Sequence, residues 1–401
     1  MDNKLLRLCR SRDLVAIFRG LAQDDVFDKL MILLGSDKRF LSNYLADYSD
    51  FVTELYSHNT ADLTQYLLQI TMEDENVFIK EAASGCIPPH EMQECLVNEL
   101  LFLQEVSQLT PKDFMDGIDY DGYIPQWVTS KADFVENYKQ RLMTVANVGY
   151  GKWTKSNMFV YRDGIVPVKH PDTQKLSELF SYDAQRKAIV DNTLALLDGK
   201  PALNALLYGD AGTGKSSTVK AVANEYAENG LRLIEITKEQ LREIPSIIEE
   251  ISRNPLKFII FIDDLSFVEG EDCFGSLKAI LEGSAAARSH NMVIYATSNR
   301  RHLVKEKFSD REGDDVHLND TLQETLSLSS RFGLRVNFNR PDKKDYIMIV
   351  TKLAELNEVK MKEEELAEKA EQFAISSGNG RSPRTAKQFI HQIINNIQDQ
   401  T

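Results

Sequence analysis

Along the first ~110 residues the apolar positions recur at helical spacing. Leu14, Ile17, Phe18 and Leu21 fall on one predicted helical face, and Leu96, Leu100, Leu103 and Val106 on another. Strand-forming runs are nearly absent there, so a mostly helical N-terminal region is expected. Between Asp116 and Trp127 the run Asp-Gly-Ile-Asp-Tyr-Asp-Gly-Tyr-Ile-Pro breaks the periodicity, as Gly and Pro clusters do. A further amphipathic helix is predicted over 132–145. From Ile165 onward the texture changes. Short apolar runs at 204–209, 231–236, 258–263, 292–297 and 333–338 alternate with helical segments. Five strands separated by helices imply an α/β core built on a parallel sheet covered on both faces. Beyond Pro341 the pattern is helical again, interrupted by one loop over 376–383. The expected domains are a helical region over 1–164, an α/β core over 165–340 and a small helical domain over 341–401.

Composition narrows the partners. The 401 residues are two or three domains' worth at ~150 residues each. Lys plus Arg number 47 and Asp plus Glu 61, a formal net charge of −14. Residues 1–165 carry 16 basic and 25 acidic side chains, a balance of −9, and the remainder 31 and 36, or −5. A pI of about 5.1 argues against a protein whose whole surface grips a phosphate backbone. A local nucleic-acid contact is left open but has no support from the net charge. Cys9, Cys86, Cys95 and Cys273 are too few and too scattered for a disulfide framework. No window approaches the ~18 apolar residues of a membrane span, and residues 1–7 lack the apolar core of a secretion signal. A cytoplasmic protein with reduced thiols and no membrane contact is expected.

The strongest chemical signal follows the 204–209 strand. Gly209-Asp210-Ala211-Gly212-Thr213-Gly214-Lys215-Ser216 fits G-x-x-x-x-G-K-[ST] and opens a predicted helix that continues at Ser217. Glycines let the backbone wrap a phosphate with N–H groups pointing inward, and the helix N-terminus adds positive potential. Lys215 reaches the β- and γ-phosphates of ATP, and the Ser216 hydroxyl ligates Mg²⁺. The metal also needs a carboxylate. The apolar run 258–262 ends in Asp263-Asp264; Asp263 is expected to hold Mg²⁺ and Asp264 to orient or deprotonate the attacking water.

Together these residues resemble an AAA+ ATPase. The next strand ends in Ala296-Thr297-Ser298-Asn299-Arg300-Arg301, which resembles sensor 1. The resemblance implies that Asn299 helps position the hydrolytic water. Ser327-Leu-Ser-Ser-Arg331-Phe-Gly333 resembles the segment carrying the arginine finger, so Arg331 would reach a neighbouring subunit's γ-phosphate. Gly380-Arg381-Ser-Pro-Arg384-Thr-Ala386 resembles sensor 2, with Arg384 the expected phosphate contact and Arg381 the fallback. The resemblance implies a five-stranded AAA+ core, a C-terminal helical lid and a ring-like homo-oligomer. At closer range Leu206-Leu-Tyr-Gly-Asp210, Asp263-Asp264-Leu265-Ser266-Phe267, Leu277-Lys-Ala-Ile-Leu-Glu-Gly283, Ala296-Thr-Ser-Asn-Arg-Arg-His302 and Phe308-Ser-Asp-Arg311 resemble a bacterial AAA+ family called domain of unknown function 815. The usual Asp-Glu ending of the second strand motif is here Asp263-Asp264. Asp is one methylene shorter, so slow hydrolysis is expected, with a non-hydrolysing nucleotide-gated module as the alternative.

Weaker candidates read mostly as structure. Phe180 and Tyr182 precede the phosphate-binding strand and are read as packing aromatics, with stacking on the base as the alternative. Cys86, His90 and Cys95 lack a fourth zinc ligand at finger-like spacing. Asp119-Tyr-Asp121-Gly122 echoes an EF-hand, but Gly117 and Val128 occupy the first and twelfth ligand positions. The Tyr150–Arg162 stretch interleaves aromatic and basic residues as single-strand binders do, yet a strand packed on the core explains it better. The 237–245 segment has no aromatic residue, which argues against threading of polypeptides. Arg300, Arg301, His302, Lys305 and Lys307 form a basic cluster in sequence, read as a solvated helix. The expected function is Mg²⁺-dependent ATP hydrolysis that remodels or loads a macromolecule, with the N-terminal region recruiting a protein partner.

Overall fold

The structure is a computed structural model that describes residues 3–265, 267–268, 277, 280–281, 290–299, 304–305 and 330–398. Arg300, Arg301, His302 and Lys307 of the basic cluster, and Cys273, lie outside the described residues. The chain divides into two compact units, Met1–Lys155 with Arg253–Pro255, and Ser156–Ser252 with Leu256–Thr401.

The first unit is helical: α1 (Asn3–Ser11), α2 (Asp25–Gly35), α3 (Leu41–Ser57), α4 (Leu63–Glu73), α5 (Val77–Ala83), α6 (His90–Ser107), α7 (Pro111–Met115) and α8 (Phe134–Val148). Its core closes around Trp127, whose ring meets Tyr48, Phe51 and Phe114 at 5.3, 5.0 and 5.6 Å. The indole N–H donates to Leu109 O at 2.8 Å, so the one polar atom of that ring is satisfied inside the core. The stretch after α7 is irregular, as its Gly and Pro residues predict. Tyrosines of α3 serve the backbone of α7 and of that stretch: Tyr44 donates to Phe114 O and Tyr48 to Pro125 O, both at 2.8 Å, and Tyr56 to Gln126 O.

One predicted helix is not formed. Residues 12–14 and 19–23 make two short 3₁₀ turns instead, and Leu14 is exposed. The cause is Glu99 of α6, whose carboxylate accepts the N–H groups of Ala16 (2.7 Å), Ile17 (3.1 Å) and Phe18 (3.0 Å). A side chain that captures three successive donors removes them from any helical ladder.

The second unit is built on a sheet two strands wider than the expected five. β1 (Met158–Tyr161), β2 (Ile165–Pro167), β3 (Ala205–Gly209), β4 (Leu231–Ile236), β5 (Lys257–Ile262), β7 (Met292–Ser298) and β9 (Leu334–Phe338) lie in the order β2-β1-β4-β5-β7-β3-β9. Only β2 is antiparallel to its neighbour. The short β6 (Phe267–Val268) and β8 (Val304–Lys305) pair separately. The five expected strands are β3, β4, β5, β7 and β9, and they are contiguous. Every residue of Phe258–Ile262 is buried, as a central parallel strand covered on both faces requires.

β1 widens the sheet because the aromatic–basic stretch supplies it: Met158, Phe159 and Val160 pair in parallel register with Leu233, Ile234 and Glu235. Tyr150, Trp153 and Phe159 are buried, so these rings are spent on packing and cannot serve as a stacking platform for bases. Helices α9 (Asp183–Leu197), α10 (Lys215–Glu225) and α11 (Ile244–Ile251) complete the α/β layers. The 237–245 segment turns into α11 with Leu241 and Ile244 buried. Three last helices, α12 (Lys343–Leu356), α13 (Glu363–Ser376) and α14 (Pro383–Gln398), enclose their own small core of Tyr346, Ile349, Leu366 and Phe389.

Candidate nucleotide-binding site

The strand order puts the carboxyl ends of β3, β5 and β7 side by side, where open parallel sheets bind ligands. The phosphate-type loop leaves β3 there. Its conformation depends on glycine at two places. Gly209 has φ +134°, and a Cβ on it would come within 2.3 Å of Phe338 O at the end of β9. Gly214 has φ +90° and precedes the first turn of α10, so the left-handed backbone turns the chain into the helix. The loop therefore lies close against β9 and aims the N-terminus of α10 into an open cavity of 490 Å³.

Around that cavity the polar groups form a connected set. Lys215, 6% exposed, donates to Gly209 O (3.1 Å), Asp210 O (2.7 Å) and Asn299 Oδ1 (3.0 Å). Burial lowers the pKa of its ammonium, and the nearby Asp210, Asp264 and Asp263 charges oppose that fall. Ser216 Oγ donates to Asp263 Oδ1 at 2.6 Å. Asn299 Nδ2 donates to Asp264 Oδ1 at 2.8 Å, so one amide joins the lysine of the loop to the second acid. Asp264 takes φ +51°, a left-handed conformation that costs a non-glycine residue about 1 kcal/mol or more. Its N–H is held by Asp263 Oδ1 (3.1 Å) and Thr297 Oγ1 (2.9 Å).

The C-terminal helices supply the opposite wall. Ile349 and Leu353 of α12 and Pro383, Arg384 and Lys387 of α14 line the cavity. Arg384 N donates to Gly212 O at 3.2 Å. A Cβ at Gly212 would come within 3.1 Å of both Arg384 Cβ and Ser382 Oγ. Arg381 is committed elsewhere, gripping Glu371 through two bonds of 2.8 Å. Asp210 ties the loop to the segment after β9, accepting Arg340 N–H at 2.8 Å.

Of the residues singled out in the sequence, Ala211, Gly212, Thr213, Gly214, Lys215, Ser216, Ser217, Asp263, Asp264, Asn299 and Arg384 meet at this cavity. Gly209 and Asp210 shape the loop behind it. Arg331 precedes β9 and is not among the described residues that line the cavity. Phe180 and Tyr182 both line it; Tyr182 also packs on Phe338 and donates to Asn339 O at 2.7 Å. Thr297, to which the sequence assigns no role, contacts both acids. The signal for it is its place at the end of β7, one residue before the strand's last residue and two before Asn299. In the other unit, Cys95 donates to Glu99 Oε1 at 3.2 Å and His90 faces Glu94 at 3.3 Å.

A phosphate-type loop on the first of five parallel strands in the order β4-β5-β7-β3-β9, acids ending β5, a polar residue ending β7 and a helical lid together define a P-loop protein of the AAA+ class. The chain belongs to the family described as protein of unknown function (DUF815), whose model matches residues 152–397. A Replication factor C large subunit from Staphylothermus marinus is 32% identical over 117 residues, 27% of this chain and 27% of that protein. A 26S proteasome regulatory subunit 6B homolog from Schizosaccharomyces pombe is 38% identical over 73 residues, 17% of this chain and 19% of that protein. The chain thus spans about a quarter or less of the length of these curated relatives. The solved Thermotoga maritima RuvB Holliday junction branch migration motor overlaps 54% of this chain and 63% of its own at 16% identity, with a TM-score of 0.39. Among the described residues no helix is long and apolar enough to cross a membrane.

Proposed function

We propose that this chain binds ATP with Mg²⁺ and hydrolyses it at the junction between copies of itself, in a ring-like homo-oligomer, to remodel or load a macromolecular partner. One observation carries the reading: a phosphate-type loop, two carboxylates and an amide from the adjacent strand are joined by hydrogen bonds around a single open cavity. Lys215 and the N–H groups of the loop bind the phosphates. Ser216 and Asp263 are hard oxygen donors in direct contact, a set that fits Mg²⁺. Mg²⁺ held by Ser216 and Asp263 would supply positive charge that offsets the charge developing on the phosphates. Asp264 orients the attacking water, Asn299 restrains Asp264, and Arg384 contacts phosphate from the lid. Arg331 acts on a neighbouring subunit's nucleotide, which fits its position off its own cavity. Two relatives are named as subunits, which favours self-association. The helical unit recruits a protein partner, and the protein works in the cytoplasm.

A second reading, a nucleotide-gated binding module with little turnover, is favoured by the Asn299 bond to Asp264, which holds the short carboxylate that turnover needs. Asp264→Asn separates the two. Hydrolysis is expected to fall about 100-fold, the scale of a lost general base, while ATP binding holds. Phosphate release at the parental rate would remove Asp264 from the mechanism; no release by either protein would favour the gated module. Affinity capture on Asp264→Asn with ATP then identifies the partner.

A further inference from the structure

We propose that Thr297 is a positioning residue that sets both acids of the site through one hydroxyl. The proposal rests on the reading that Asp263 holds the metal and Asp264 faces the water. Thr297 is buried, 2% exposed, at the end of β7. Its Oγ1 donates to Asp263 Oδ1 at 2.5 Å and accepts the N–H of Asp264 at 2.9 Å. Its carbonyl accepts Leu265 N–H at 2.7 Å. Three consecutive residues of the β5 exit are therefore pinned to one residue of the neighbouring strand.

Each bond has a separate consequence. A hydroxyl has one proton to give, and the bond to the Asp263 carboxylate takes it, because a carboxylate only accepts. The lone pairs are then the part turned to Asp264 N–H, so the two bonds reinforce one hydroxyl orientation. Asp263 Oδ1 receives Ser216 Oγ, Thr297 Oγ1 and Asp264 N. Those donors fix the plane of the carboxylate and keep it beside Ser216. The bond to Asp264 N–H acts on the backbone instead: it helps hold the residue at φ +51°, and that backbone turn brings Asp264 Oδ1 to Asn299 Nδ2. Without it the left-handed turn loses one of its two restraints and the acid wanders from the water it must orient. Thr297 also lines the cavity and bonds to both the metal-holding acid and the water-orienting acid.

Groups that orient metal ligands typically cost 10- to 100-fold in metal affinity or activity when removed, roughly the size expected here. Thr297→Val keeps the β-branched shape that suits a strand and deletes the hydroxyl; Thr297→Ser keeps the hydroxyl. Fluorescent ATP-analogue binding across a Mg²⁺ series, with phosphate release beside it, reads the effect on purified full-length protein. Thr297→Val is expected to raise the Mg²⁺ concentration for half-maximal nucleotide binding and turnover about 10-fold and to lower kcat by a similar factor. Metal-free nucleotide affinity should hold, and Thr297→Ser should restore most of the loss. A purely structural role would lower the melting temperature of both variants without moving the Mg²⁺ requirement, and that result overturns the proposal. Equal Mg²⁺ curves for Thr297→Val and the parent overturn it too, while leaving the ATP reading intact. If the parent itself binds nucleotide no better with Mg²⁺ than Lys215→Ala does, the ATP reading falls and this proposal with it.

Discussion

In the helical unit Glu99 and Arg141 are buried to 6% and 9% exposure, and both bond mainly to backbone, with Arg141 Nη1 left buried without a hydrogen bond. Glu99 takes three successive N–H groups, and Arg141 donates to Met72 O at 3.0 Å and to Gly149 O. In the α/β unit Lys215 is as deeply buried, yet its ammonium faces an open cavity with two aspartates, a serine and an amide tied to one another. Burial alone does not distinguish the two cases. What distinguishes them is the surroundings: the Lys215 ammonium, though bonded to Gly209 O, Asp210 O and Asn299 Oδ1, borders an open cavity lined by Ser216, Asp263 and Asp264. A cluster of opposite charges around empty volume is poised for a ligand that carries charge.

The largest expected effect tests the α/β side of that contrast. Lys215→Ala and Arg331→Ala should each lower ATP turnover by about 10³-fold, the scale of a lost transition-state arginine, while both proteins stay folded. Mixing the two variants should recover part of the activity, because some interfaces then join an intact loop to an intact Arg331. Mixed oligomers that remain silent at every ratio would argue against action in trans.

Glu99→Ala tests the other side. Three N–H groups, those of Ile17 and Phe18 buried, lose their acceptor, and a group left unsatisfied in the interior costs about 1–3 kcal/mol. With partial compensation by water, a loss of about 3 kcal/mol is expected in denaturant titration of the helical unit. Nucleotide affinity should move by less than about two-fold, since among the described residues Glu99 shares no hydrogen-bond partner with those lining the cavity. A fall in nucleotide affinity matching that of Lys215→Ala would break the contrast, because it would make Glu99 part of the site.

Legibility in the sequence followed the same division. The five core strands were predicted almost to the residue because parallel strands buried on both faces read as continuous apolar runs. The loop was legible because only glycine suits Gly209 and Gly214. β1 was harder: Met158–Tyr161 is a short strand near the sheet edge, and its sequence also fits a base-stacking stretch. The failed helix at 12–23 shows the limit most clearly. Its apolar spacing is helical, but a carboxylate 81 residues from Phe18 in sequence claims the backbone donors, and local periodicity carries no trace of that. Thr297 was hidden for a related reason, since its partners sit on another strand.

The smallest expected effect concerns a carboxylate of the helical unit that forms no ion pair among the described residues. Asp74 follows α4 and is half-buried, and burial pushes its pKa up to about 6, with the charges of Glu75 and Glu99 adding to the rise and the Asn76 bond and Lys80 opposing it. The folded protein therefore holds this proton more tightly than the unfolded chain, whose aspartates titrate near ~3.9. The sign follows: protonated Asp74 leaves stability whole at low pH, and stability is lost as pH rises from ~4 through about 6, after which the loss is constant. Asp74→Asn cannot ionise and keeps the shape, so it should be more stable than the parent by about 2–3 kcal/mol at pH ~7.5 and nearly equal to it at pH ~4. Urea titrations of the two proteins at both pH values, read on the helical unit, measure that difference directly. A gain of the same size at both pH values would mean that packing around Asp74, and not its charge, sets the effect.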